Sequence, residues 1–197
     1  MAKIALGFRV RSGWSAVVVL AGPSAAPSVL HVRRVELSDP GFPESRQPFH
    51  AVDDAQGDLE PDPNRIEKRM QVVRNAATRS IGQLMAHCRT NGWDPRRAGI
   101  VVGSLIDPAS IHSPHIRAHA MEGQLFRTTL EDGLRALDVR STMLAEKTVF
   151  EKASDVIHSG VPILTRTLAD LGHGVAGPWR ADEKLAALAA WVAVSQN

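Results

Sequence analysis

Residues 3–36 read KIALGFRVRSGWSAVVVLAGPSAAPSVLHVRRVE, and this stretch decides the fold. Its β-branched and aliphatic runs predict three consecutive strands over residues 4–10, 15–20 and 29–37. Arg11-Ser12-Gly13 and Ala21-Gly22-Pro23-Ser24 supply the turns. Strands joined so tightly pair antiparallel, so the chain opens as a meander.

Outward from the meander, residues 38–64 are dense in Pro, Gly and acid and hold no period, which predicts a long surface loop. Residues 65–89 predict the clearest helix, with Ile66, Met70, Val73, Ala77, Ile81, Leu84 and Cys88 on one stripe. Asp62-Pro63 starts it and Asn91-Gly92 stops it. The apolar run at 98–105 reads as a strand buried on both faces, reached from the helix by a crossover. Ser113-Pro114 caps a second helix to about residue 137, with Ile116, Ala120, Gly123, Leu130, Leu134 and Leu137 as its expected stripe. A fifth strand at 139–145, shorter helices at 148–158 and 162–171, a glycine-rich loop at 172–177 and an apolar, alanine-rich helix at 181–194 complete the chain.

The order of three strands, helix, strand, helix, strand and helices describes an α/β protein. Its expected architecture is ribonuclease H-like: a mixed five-stranded sheet, antiparallel meander then βα units, with helices on both faces. A length of 197 residues fits one domain over 1–197, with a loop insertion at about 38–64. No apolar run is long enough to span a bilayer, Arg9 and Arg11 interrupt the first apolar stretch, and Cys88 stands alone. A cytoplasmic protein without membrane contact is therefore expected. The formal net charge is only +2, so no strong global field marks a nucleic-acid binder. Lys occurs only at 3, 68, 147, 152 and 184, so most of the 23 basic residues are arginine, the residue better suited to phosphate. The absence of tyrosine argues against a base-stacking platform.

In IALGFRVRSGWSAVVVL, GIVVGS, SPHIRAHAMEGQLFRTTLEDGLRALDV, STMLAEKTVFEKA and ADEKLAALAAW, the chain resembles the bacterial Holliday-junction resolvases and the related pre-ribosomal-RNA-processing nucleases. The resemblance implies four carboxylates holding two divalent metals that activate water at a phosphodiester. It calls for an acid near the end of the first strand, where this chain has Gly7-Phe8-Arg9, and for a second at the end of the fourth, where it has Gly103-Ser104. Phenylalanine cannot ligate magnesium and arginine repels it. Of the implied ligands, only Asp182 and Glu183 on the last helix have counterparts, so magnesium-dependent cleavage is not expected. The same gap counts against the actin-like ATPases, whose glycine-rich phosphate loop is also not visible here.

Other residues could rebuild a site. Asp107 either replaces the second acid or only forms the Asp107-Pro108 turn. Asp182 and Glu183 either ligate or stabilise the first turn of their helix. His115 and His119 are four apart on one helical face, joined by Glu122 and preceded by His112, a spacing able to hold a transition metal, bind an anion or merely be solvated. Arg9, Arg11, Arg33 and Arg34 offer a phosphate-contacting patch on the meander. Cys88 reads as core packing, and Trp191 as packing or a subunit contact.

Three functions follow. The first is a catalytically degenerate resolvase-like domain that binds nucleic acid or a protein partner and needs no cofactor. The second is a Mg2+-dependent nuclease with relocated ligands Asp107, Asp182 and Glu183, joined by His112 or His115. The third is a structural homodimer built on the apolar last helix.

Overall fold

A computed structural model describes residues 3–51 and 59–196. The opening stretch forms β1 (Ile4–Arg11), β2 (Trp14–Ala21) and β3 (Ser28–Glu36), paired antiparallel. The turn between β1 and β2 needs Gly13, whose φ of 80° is costly for other residues. The Gly13 carbonyl then accepts from the amides of Leu37 and Ser38, fixing where the chain leaves the sheet.

After the meander come α1 (Pro63–Thr90), β4 (Arg97–Val102), α2 (Pro114–Arg135), β5 (Arg140–Ala145), α3 (Val149–Ile157), α4 (Val161–Asp170) and α5 (Ala181–Ser195). β4 lies parallel to β1 and β5 parallel to β4, giving the order β3-β2-β1-β4-β5. This is the expected mixed five-stranded sheet. Asp62 caps α1 by accepting from the Asn64 amide at 2.9 Å, and Ser113 caps α2.

Alternation along the central strands divides the core in two. Leu6, Phe8, Val10, Val17, Val19 and Ile100 face α1 and α2. Ala5, Val18, Leu20 and Val101 face α5, with α3 and α4 contributing to that layer. α5 packs very close to the sheet. A Cβ at Gly7 would sit 1.8 Å from the Ala186 carbonyl oxygen, and one at Gly99 2.2 Å from that of Ala189. Gly7 and Gly99 are ladder partners, so two glycines make one trough for an alanine-rich helix. That seating fixes the first turn of α5 at the sheet's edge.

Four expectations are corrected. The stripe of α2 is Ala118, Glu122, Leu125, Phe126, Leu130 and Leu134, whereas Ile116 and Leu137 are exposed. The 38–64 segment is no bland surface loop, because Ser45, Phe49, His50 and Glu60 are buried. It contains a 3-10 turn (Pro43–Arg46), and His50 bridges to Leu59; residues 52–58 of the expected loop lie outside the described residues. Leu171–Gly174 is likewise a 3-10 turn, with Gly172 against the Trp179 ring, rather than open loop. Finally, α5 is buried within its own chain from Ala186 to Val194, and the Trp191 indole donates to the Ser24 carbonyl at 2.7 Å. Its apolar stretch packs inside its own fold rather than outward, as suits a helix apolar on all sides. Among the described residues no helix is long and apolar enough to cross a membrane.

Arg69 explains why the 38–64 segment folds down. This arginine of α1 is 1% exposed and donates from Nε to Glu44 at 2.8 Å and from Nη1 to the His50 carbonyl at 3.0 Å, with a Glu60 carboxylate oxygen 3.1 Å away. A buried guanidinium needs such partners. They all come from this segment.

Candidate functional site

The parallel strands β1 and β4 end at one edge of the sheet, the place where α/β proteins present their ligands. Arg9 sits at the end of β1, where the resemblance requires an acid. Its side chain is 1% exposed, and its guanidinium donates to Glu146 at 2.5 Å and to its neighbour Val10 O at 2.8 Å. Glu146 follows β5 directly, so Arg9 must reach past the end of β4 to meet it. Asp182, in the first turn of α5, lies 3.8 Å from Arg9 Nε and accepts from Arg11 at 2.7 and 3.0 Å. Burial lowers the Arg9 pKa, as does Arg11, while Glu146 and Asp182 push it back up. The group stays cationic.

Glu146 and Asp182 are therefore already neutralised by guanidinium groups. The end of β4 carries Gly103 and Ser104, which bring no carboxylate. A magnesium ion requires near-octahedral oxygen ligation at about 2.0–2.1 Å. The Arg9 guanidinium occupies the centre where such ligands would have to meet, so these residues do not fit that ion.

The relocated ligands do not converge either. Asp107 caps a 3-10 turn, accepting from the Ala109 amide at 3.0 Å. Glu183 accepts from the Arg180 amide at 2.8 Å and closes the start of α5. Both are structural caps. Only Asp182 reaches Arg9.

Beside this centre opens a groove of about 400 Å3. Arg9, Arg11 and Ser12 form one wall, and Gly103, Ser104 and Ile106 another; α2 closes it with Ile116, His119, Ala120, Gly123, Phe126 and Arg127. Ile116, Ala120 and Gly123, expected in the α2 core stripe, thus line the groove instead. Arg127 donates to the Ser104 carbonyl at 3.1 Å, and burial lowers its pKa. Among the described residues the lining holds three arginines and one histidine but no carboxylate. Such a lining favours an anion. A larger cavity of about 660 Å3 lies between α1 and α2, mostly apolar and lined by none of these arginines.

The four meander arginines do not make one patch. Arg34 pairs in the ladder with Ala16, on the Arg9 face, where it binds Glu36 at 2.6 Å and covers Trp14. Arg33 pairs with Val17 and points to the opposite face.

On the α2 side, the sequence-predicted His115, His119 and Glu122 come together, and His50 joins them from the 38–64 segment. The ring centroids stand 4.4 to 5.3 Å apart. Glu122 is 1% exposed, 2.6 Å from His50 Nδ1 and 3.4 Å from His119 Nδ1. Burial pushes its carboxyl up to about 7, against the downward pull of His119, a Phe49 backbone hydrogen bond and His115. Burial and His115 lower the His50 pKa. His112 is exposed and is not in the group. Sequence reasoning missed Glu146, Arg127 and His50. Glu146 at the end of the fifth strand carried a topological signal; His50, in an aperiodic stretch, carried none.

This sheet order with helices on both faces defines the ribonuclease H-like fold. Among solved structures, the chain is similar to Thermus thermophilus RuvC, both bound to a Holliday junction substrate (TM-score 0.54, 9% identity, covering 96% of this chain and 91% of that one) and in a second structure (TM-score 0.54, 10% identity, 96% and 92%). At that identity the likeness concerns the fold. No family model and no curated protein sequence matches the chain.

Proposed function

We propose that this chain is a catalytically degenerate resolvase-like domain that binds nucleic acid through the groove at the ends of β1 and β4, without metal-dependent cleavage. The observation that carries this reading is Arg9: a buried cation, engaged by Glu146 and Asp182, stands where a two-metal nuclease needs a carboxylate. A nuclease groove attracts metal, and through metal the phosphate. Here Arg11 and Arg127 line the groove, with Arg9 buried behind them between Glu146 and Asp182, and guanidinium groups suit phosphate oxygens. The RuvC structure described with a Holliday junction supports branched DNA as the first ligand to test.

The experiment is fluorescence anisotropy with a labelled four-way junction and a matched duplex, in chelator, over a salt series. Binding should weaken linearly in log–log form as salt rises, because phosphate contacts release counterions. Arg11→Glu and Arg127→Glu should each weaken binding and flatten the salt slope by about 1. Charge reversals that leave affinity and slope unchanged would overturn the groove as the binding surface.

A further inference from the structure

We propose that His50, His115 and His119 form a binding site for a divalent transition metal of the Zn2+ class, with Glu122 as the carboxylate that orients His50. One ring nitrogen from each of the three imidazoles lies within 4.8 Å of the other two. His115 and His119 come from successive turns of α2, while His50 is brought across by the folded 38–64 segment. Tetrahedral zinc with nitrogens at about 2.0–2.1 Å would hold them about 3.3 Å apart. Binding would need the His115 and His119 rings, both at exposed positions, to turn inward by that difference.

The independent sign is at His50. Its ring is buried, and Nε2 has no hydrogen-bond partner among the described residues. The other nitrogen, Nδ1, lies 2.6 Å from Glu122 Oε1. When Glu122 is ionised, its carboxylate holds the proton at Nδ1 and leaves the Nε2 lone pair free to ligate, the pattern that orients metal-bound histidines. His50 is also fixed through its backbone, since Arg69 donates to its carbonyl at 3.0 Å. A solvated cluster would need neither the buried acid nor the clamp.

Ligand chemistry selects the ion. Imidazole suits zinc, copper, nickel or cobalt rather than magnesium or calcium. An anion is disfavoured, because the Glu122 carboxylate stands behind two of the rings. Three protein donors leave one coordination position open. His119 also lines the arginine groove, so a bound ion would stand at its wall. The proposal holds whether or not nucleic acid enters that groove.

The test uses the untagged full chain, stripped with chelator and shown folded by circular dichroism. Zn2+ is titrated in competition with a chromogenic chelator, and Co2+ is added separately to read coordination in the visible spectrum. One Zn2+ per chain and a four-coordinate Co2+ spectrum are expected. His115→Ala and His119→Ala, both at exposed positions, should each weaken Zn2+ by more than about tenfold. Glu122→Gln should weaken it by about 10–100-fold. His112→Ala should change nothing. No stoichiometric Zn2+ in the folded chain, or equal losses from His112→Ala and His115→Ala, would overturn the site.

Discussion

Replacing Glu146 by glutamine leaves the buried Arg9 guanidinium without its nearest counter-charge. Two unit charges about 4 Å apart attract by about 4 kcal/mol at an effective dielectric of 20. Removing one partner of a fully buried pair costs about 3–5 kcal/mol, because the other charge stays out of water. Glu146 is 40% exposed and Asp182 remains 3.8 Å from Arg9, so that figure must be discounted. The expected cost of Glu146→Gln is about 2 kcal/mol, or roughly 4–8 °C in Tm for a chain of this size. Arg9→Met should cost less, because Glu146 can return to water and Asp182 keeps Arg11. The double variant should then lie close to Arg9→Met alone, with a coupling of about 1–2 kcal/mol. Urea melts of the four proteins provide the cycle. A Glu146→Gln protein within about 0.5 kcal/mol of wild type, with no coupling to Arg9→Met, would refute the buried cation as the organising charge of the site.

The same melts test the α5 trough. Gly7→Ala drives a methyl group into the Ala186 carbonyl and should cost about 2–3 kcal/mol, whereas Gly82→Ala in α1, with nothing within 4 Å, should gain up to about 1 kcal/mol. Arg69→Met strands Glu60, which is 2% exposed, so hydrogen exchange should speed up at the Glu60 amide, which donates to the Phe49 carbonyl, well before global unfolding. Burial raises the Cys88 pKa, so the native thiol should resist maleimide until denaturant is added. Its folded pKa lies above the unfolded one, so this contribution is intact at neutral pH and lost as pH rises past the thiol's ordinary 9.0; Cys88→Ala should remove that part of the alkaline decline.

The strands and long helices were legible because burial on a sheet or helix face leaves a period in the sequence. α2 shows the limit. Its core stripe runs through a charged residue, Glu122, while Ile116 faces the groove, so counting apolar residues rotated the helix. Arg9 could be placed at the end of β1 from its own neighbourhood. Its partner Glu146 carries no local signal, since 137 residues separate them, and only the β1-β4-β5 order points to it. His50 was invisible for a related reason. Its order comes from Arg69 and Glu122, distant charges that leave no local pattern. For the last helix the sequence leaves packing and a partner surface both open; apolar all round and seated on two glycines, the helix is covered by its own fold.

The most direct test of the central claim is a cleavage assay on a labelled four-way junction at saturating protein, in Mg2+ and Mn2+ and again in chelator. The expected result is a junction bound and intact in all three, with the protein held by its own arginines. Cutting in Mg2+ that chelator abolishes and Asp182→Asn prevents would contradict it, since the carboxylates would then be holding metal in place of Arg9 and Arg11.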